Sequence, residues 1–443
     1  MRKTYTIIIL FCLLAMTARG DNQNGKIEEY HRSALATMMV YHPEDDMGYS
    51  IWTTFNSLPA PDKYDVHNTP YRCIDNSKIT DVRLNNQVGL YRQSYGGTQS
   101  LSDTEINKNA AKINQLLNKA SIANHLVAQW FNMQGDSLQN AYFNTDLLMS
   151  RSMYDVSAID AEMSRYTVEG ISGFVVDLSE DLLAHTFVLV NDITVRATAE
   201  DRGNTTKKIF GILGGIWDAV TGGNNGERLA RDIGDIADNY SGYKIDIHSY
   251  LFKLIWNDSI SNEFYTKYYT EKPNPKKMRA FWQDKDLFRL QYMGHTSNVA
   301  EKTSSQYSDI ELLRFVTSRA IDKNIATLQK TYDDFKVRVP IVQVEYNTKQ
   351  KDDCYRAPIG LKEGITDKTE FVVLECVFNE KTLKLDYQEV ATVVPIKSEI
   401  WDNRFNAVQE MEDGANLTGT LFKCKSIKAK QNNIRQGMLI MQK

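Results

Sequence analysis

A cysteine nucleophile needs an imidazole within hydrogen-bond reach to take its proton. In this chain Cys73 follows His67 by six residues, and His125 and His185 lie further along. None of the local signatures of activated cysteines surrounds Cys73, so an ordinary loop thiol is the favoured reading. No G-x-S-x-G occurs, which removes the serine nucleophile elbow. The loop His42-Pro43-Glu44-Asp45-Asp46-Met47-Gly48 sets an imidazole beside carboxylates, the donors a divalent cation takes. Calcium loops alternate their ligands, whereas these acids are contiguous, as in a solvated turn. Asp232, Asp235 and Asp238 fall every third residue on an expected helix and read as a solvated face. The sequence therefore nominates no catalytic residue, no metal set and no cofactor.

Contact surfaces are better marked. Lys207 to Gly223, KKIFGILGGIWDAVTGG, leads two lysines into a glycine-rich apolar stretch. Its Gly211 and Gly215 form a G-x-x-x-G pair, the spacing that lets two backbones approach closely. It is too short to span a bilayer, and Ile209, Phe210, Gly211, Gly215 and Trp217 become candidate contacts to a membrane interface or a partner. The plainer reading is a close-packed turn or surface excursion. Phe264 to Lys277, FYTKYYTEKPNPKK, offers Tyr265, Tyr268 and Tyr269 to a protein partner or a glycan, since exposed tyrosines favour interfaces. The same spacing equally describes a helix face packed on its neighbour.

The chain opens with MRKTYTIIILFCLLAMTARG: Arg2 and Lys3 as a positive n-region, Thr6 to Met16 as an apolar core, and Ala18-Arg19-Gly20 as a cleavage site. A dozen or so apolar residues fall short of the ~20 a spanning helix needs. The expectation is an exported protein whose mature form starts near Asp21, located in the periplasm, at the outer membrane or outside the cell. Cys12 lies within the apolar core, a poor setting for lipidation. The formal charge is −4, and losing three basic residues with the leader lowers it to −7. A mildly acidic chain provides no clustered basic face for nucleic acid. Cys73, Cys354, Cys376 and Cys424 remain after processing. In an oxidising compartment the last three allow one disulfide, but Cys376 and Cys424 lie in apolar strand-like runs that suit buried free thiols.

These features must be carried by folded elements. Residues 26 to 40 carry helical spacing, and Tyr41 to Gly97 reads as loop with short elements. Thr104 to Met133 predicts one amphipathic helix capped by Ser102 or Asp103, with Gly135 after its end. Leu147 to Met149 and Phe187 to Val195 read as strands, separated by a polar helical segment over Ser157 to Tyr166. Tyr243 to Trp256 alternates as a strand with one wetter face, and Leu287 to Met293 would pair with it across a basic loop. Asp309 to Phe335 is a strong helix. After Pro340 come only short strands, with FNEKT as a hairpin connection. The fold class is α+β: an α/β domain with a long helix and an antiparallel or mixed sheet, then a small all-β barrel or sandwich. The corresponding regions are a leader over 1–20, a loop-rich region over 21–100, the α/β domain over 101–337 with its glycine-rich excursion at 207–226, and the all-β domain over 338–443.

Two resemblances attach to these segments. RSALATMMVYHP, LPAPDKYDVHN, LLMSRSMYDVSAID, HTFVLVND, SYLFKLIWND, RAIDKNIATLQKTYDDFKV and QGMLI together resemble a family of uncharacterised exported proteins of gut-type anaerobic bacteria. The resemblance covers most of the mature chain and implies location rather than activity. In layout, Ala120 to Phe131, DLLMSRSMYD, Ser157 to Tyr166 and TFVLVNDITV are similar to envelope assembly proteins of the curli-secretion-channel type, with SYLFKLIWND as a further strand. The chain lacks the lipobox and the long paired strands of such channels, so only architecture is implied. The expected function is a non-enzymatic envelope protein that binds or scaffolds envelope proteins or glycans, with room for peripheral membrane contact; a third reading is a pore-forming or membrane-inserting protein using Ile209 to Val220. The competing expectation is a secreted hydrolase whose site is assembled from distant residues.

Overall fold

The computed structural model describes residues 31, 33–70, 72–84, 101–158, 179–197, 242–302, 307–379, 384–405, 418–427 and 434–443. The leader, the glycine-rich excursion with Ile209, Phe210, Gly211, Gly215 and Trp217, the Asp232–Asp238 series and residues 159–166 of the expected polar helix lie outside them. The protein is mixed α+β with two sheets, one of them a curled half-barrel.

The first sheet grows from β1 (Ala34–Tyr41), whose residues are buried up to Val40. Leu35 and Met39 enter one core while Ala36, Met38 and Val40 enter the other. A strand covered on both faces is apolar on both faces, so the two-residue period that marks a half-buried strand is absent from its sequence. The helix expected over 26 to 40 is, in its described part, this strand.

β1 pairs in parallel with β2 (Asp65–Val66), β3 (Cys73–Asp75) and β4 (Thr186–Ala197). β4 continues antiparallel to β5 (Tyr243–Leu254), and β5 to β6 (Leu290–Lys302), giving the order β2-β1-β4-β5-β6 with β3 also on β1.

Helices α1 (Gly48–Ser57) and α2 (Asn76–Asp81) follow β1 and β3. The helix expected over 104 to 133 is two, α3 (Asp103–Lys119) and α4 (Ile122–Trp130), broken where Ser121 takes a left-handed φ of 57°. Both pack into one core, so their apolar stripe runs through the break unmarked. Ser102 caps α3 in a capping box with Glu105.

Leu147 to Met149 are helical rather than extended, within α5 (Asp146–Ala158). Asn144 Oδ1 accepts from Asp146 N at 3.1 Å and Thr145 O from Met149 N at 2.8 Å, which starts the helix locally. Between β5 and β6 lie α6 (Asp258–Lys267) and, inside the expected basic loop 274–286, α7 (Pro275–Gln283), begun by Pro275 with Asn274 capping it. The expected strand face of β5 with Lys244, Asp246, His248, Tyr250 and Phe252 is wet only at its start, since His248, Tyr250 and Phe252 are buried.

α8 (Asp309–Thr331) packs in one core with both sheets. Its Val316, Ala320, Ile325 and Leu328 share that core with Leu189, Ile247 and Leu251 of the first sheet and with Phe371, Val393 and Phe422 of the second.

The second sheet is antiparallel: β7 (Arg338–Pro340), β8 (Gln343–Asn347), β9 (Asp352–Ala357), β10 (Phe371–Asn379), β11 (Lys384–Pro395), β12 (Thr420–Ile427) and β13 (Leu439–Gln442), in the order β7-β13-β10-β11-β12-β9-β8. Its two end strands are consecutive in the chain. Between them the amides of Ile341 and Val342 donate to Met438 O and Arg356 O, each at 2.8 Å, so one bent segment touches both ends of the strand order and curls the sheet. Cys73, Cys354, Cys376 and Cys424 are not joined in disulfides, in place of the one the compartment allowed.

Candidate functional site

The residues from which a Cys–His pair would be built are apart. Val66, beside His67, lies opposite Leu35, whereas Cys73 lies opposite Met39. Four strand residues separate Val66 from Cys73, and His67, one step nearer along the parallel direction, lies ~10 Å from Cys73. His67 is buried against the Trp130 ring, centroids 4.4 Å apart, and burial pushes it down to about 4. Burial also pushes the Cys73 thiol up to about 11, the wrong direction for a nucleophile. His125 sits against Trp282, and His185 Nδ1 bonds Asp181 O at 2.8 Å.

The tyrosine row divides. Tyr268 is buried, its hydroxyl donating to Asp284 Oδ2 at 2.5 Å. Tyr269 stacks on Phe143 with centroids 6.2 Å apart and bonds Glu271. Tyr265 meets Phe131 edge-on yet stays 41% exposed, so it is the most open of the three.

The His42–Asp46 loop does assemble a constellation, because β1 ends beside β4. His42 Nε2 lies 2.6 Å from Asp192 Oδ1 and Nδ1 3.3 Å from Glu44 Oε1, while Asn76 Nδ2 holds Glu44 at 2.8 Å. Burial opposes a charge on this ring, but the bond to Asp192 outweighs it and raises His42 to about 9. An imidazolium clamped by two carboxylates is a tether, since it has no lone pair to take a proton.

Asp192 registers with His248, and Tyr250 with His295 on the same face. His248 Nδ1 and His295 Nε2 are 2.9 Å apart, and burial followed by the His248 charge pushes His295 down to about 3. Among the described residues no group of three or more His, Cys, Asp or Glu is placed to hold a metal ion.

The opposite face of the same strands carries a buried amide relay. Ser249 Oγ donates to Asn191 Oδ1 at 2.7 Å, Asn324 Nδ2 to Ser249 Oγ at 2.8 Å, and Asn298 Nδ2 to Asn324 Oδ1 at 2.7 Å. Asn298 Nδ2 also reaches Ala320 O at 3.0 Å, so the relay ties α8 to β4, β5 and β6.

A second polar assembly joins the two sheets. The loop before β2 brings Asp62 and Lys63, α8 brings Asp322, and a turn of 3-10 helix over Leu361–Glu363 brings Lys362 and Glu363. Asp62 takes Lys63 Nζ and Lys362 Nζ, each at 2.9 Å. Burial would raise the Asp62 carboxyl, yet the two ammonium groups hold it well below the usual range. Glu363 is raised by burial and accepts from Gly360 N at 2.7 Å and Asn403 Nδ2 at 2.9 Å. Asp322 has Lys362 Nζ only at 4.0 Å, its Oδ2 is buried without a hydrogen bond, and burial pushes it up to about 7. These groups wall a cavity of about 10 Å³, room for one water-sized molecule and no substrate.

Space for a ligand lies elsewhere. A groove of about 690 Å³ opens on the half-barrel, with Val394, Pro395 and Ile396 beside Gln350, Lys397 and Lys423. Neither the cage nor the groove was visible in the sequence, although Asp322, flanked by buried Ser318, Ile325 and Ala326 on α8, is an acid on a covered helix face, which is a readable signal. No family model, curated protein or solved structure matches the chain.

Proposed function

We propose that this chain is an exported, non-enzymatic envelope protein that binds or scaffolds envelope proteins or glycans. In this reading the first sheet and its helices support an all-β domain over 338–443 that does the binding. The observation that carries it is the groove of about 690 Å³ on the half-barrel. A volume of that size suits a ligand or a partner's side chains, and its apolar strip, edged by lysines, an amide, a hydroxyl and the Asp367 carboxylate, offers contact chemistry, with no imidazole or thiol among its described walls. The resemblance to exported proteins of gut-type anaerobes supports the location. The hydrolase reading loses support from the ~10 Å between the His67 and Cys73 positions and from the saturated His42.

The test is affinity capture from native envelope fractions with wild type and a Val394→Arg/Lys423→Glu groove variant. Specific components retained by wild type and lost by the folded variant are the expected result. Identical capture profiles, or hydrolysis of ester or glycoside substrates by the purified wild type, would overturn the reading.

A further inference from the structure

Three pieces of chain distant in sequence meet at the cage: the loop with Asp62 and Lys63, the middle of α8, and the Leu361–Glu363 turn of the half-barrel. It is a joint, since Lys362 of the half-barrel bonds Asp62 of the loop leading to the first sheet across 300 residues. The charges facing Asp322 are Asp62 from the loop, Arg319 from its own helix, and Lys362 and Glu363 from the turn. Arg319 is also turned to the neighbouring segment, donating to Phe405 O at 3.2 Å beside the Asp402–Arg404 pair.

The partners are shared unequally. Asp62 has two ammonium groups, and Glu363 has an amide N–H and a carboxamide. Asp322 is left with a distant Lys362 and one buried oxygen without a bond. A proton on that oxygen removes a charge the cavity cannot solvate, whereas its loss leaves a third carboxylate pressed against two others. Separating the loop from the turn admits water and relieves that repulsion.

We infer that the Asp62–Asp322–Lys362–Glu363 cage is a proton-operated clasp between the two sheets, shut when Asp322 is neutral and loosened when it ionises. The position of Asp322 near 7 sets the window at neutral pH. A clasp governed by one proton opens at most about tenfold more per pH unit above that point.

Hydrogen exchange of the full chain, read by mass spectrometry over residues 59–66 and 358–365 and corrected for intrinsic rates, tests this between pH 5.5 and 8.5. The expected result is a loss of protection in both segments above neutrality, with strands β4 and β5 unchanged. In Asp322→Asn, which keeps the shape and removes the charge, protection stays at its acidic level throughout. A flat wild-type profile in the two segments overturns the inference without reference to any variant. So does the same loss of protection in a folded Asp322→Asn protein.

Discussion

Asn324 is the hub of the amide relay, and its removal is the sharpest test of how α8 is held to the first sheet. In Asn324→Ala, Ser249 Oγ loses the donor at 2.8 Å but keeps its bond to Asn191, and Asn298 Nδ2 loses the acceptor at 2.7 Å but keeps Ala320 O. Two buried hydrogen bonds at ~1 kcal/mol each, with incomplete re-satisfaction of the groups left behind and an amide-sized void, sum to ~3 kcal/mol. Urea unfolding measures this as a lower midpoint at unchanged slope. Because Asn298 spends part of its bonding on Asn324, the pair Asn298→Ala and Asn324→Ala is non-additive. The double variant should cost ~1 kcal/mol less than the two single variants together. A loss below ~1 kcal/mol for Asn324→Ala, or strict additivity of the pair, would refute the relay as a tie.

The His42 tether predicts a pH dependence of definite sign. With the folded value raised to about 9 from an ordinary 6.5, its stabilisation is complete below pH 6.5 and is lost as pH rises through about 9. The side chain is only 13% exposed, so the contribution reaches ~3 kcal/mol. In His42→Ala the difference in unfolding midpoint from wild type should therefore be large at pH 6 and small at pH 10. The tyrosine row predicts a split in thermal stability: Tyr265→Ala within ~1 kcal/mol of wild type and Tyr268→Ala lower by ~3 kcal/mol, because only the second opens the core. Equal effects would mean that the two rings share one environment.

What was legible follows from which faces are covered. Phe187 to Val195, Tyr243 to Trp256 and, after Pro340, β8, β10, β11, β12 and β13 were readable because short apolar runs rich in branched and aromatic residues, bounded by turn residues, have few other solutions, whereas β9, DDCYRA, has no such run. β1 was not, because Ala36, Met38 and Val40 face one core while Leu35 and Met39 face another, which erases alternation. The Ser121 break was hidden because the stripe it interrupts packs on one core at both ends. The cage was beyond reach for a different reason. Asp62 and Lys362 are 300 residues apart, and the pairing depends on a curl of the second sheet that no local pattern encodes.

That curl also orders events in time. β13, over Leu439–Gln442, is laid between β10 and β7, so the segment Arg338–Pro340 waits for a partner about a hundred residues downstream before its own amides are paired. The continuation of that segment as β8 gives it a nearer partner, the hairpin with β9, which can form at once. One bent stretch of chain thus has an early half and a late half. The half-barrel is a fold whose seam shuts last, and until it does, β10 presents an unpaired row of main-chain groups beside Val372 and Leu374, the place where a nascent molecule is most exposed to pairing with the wrong strand.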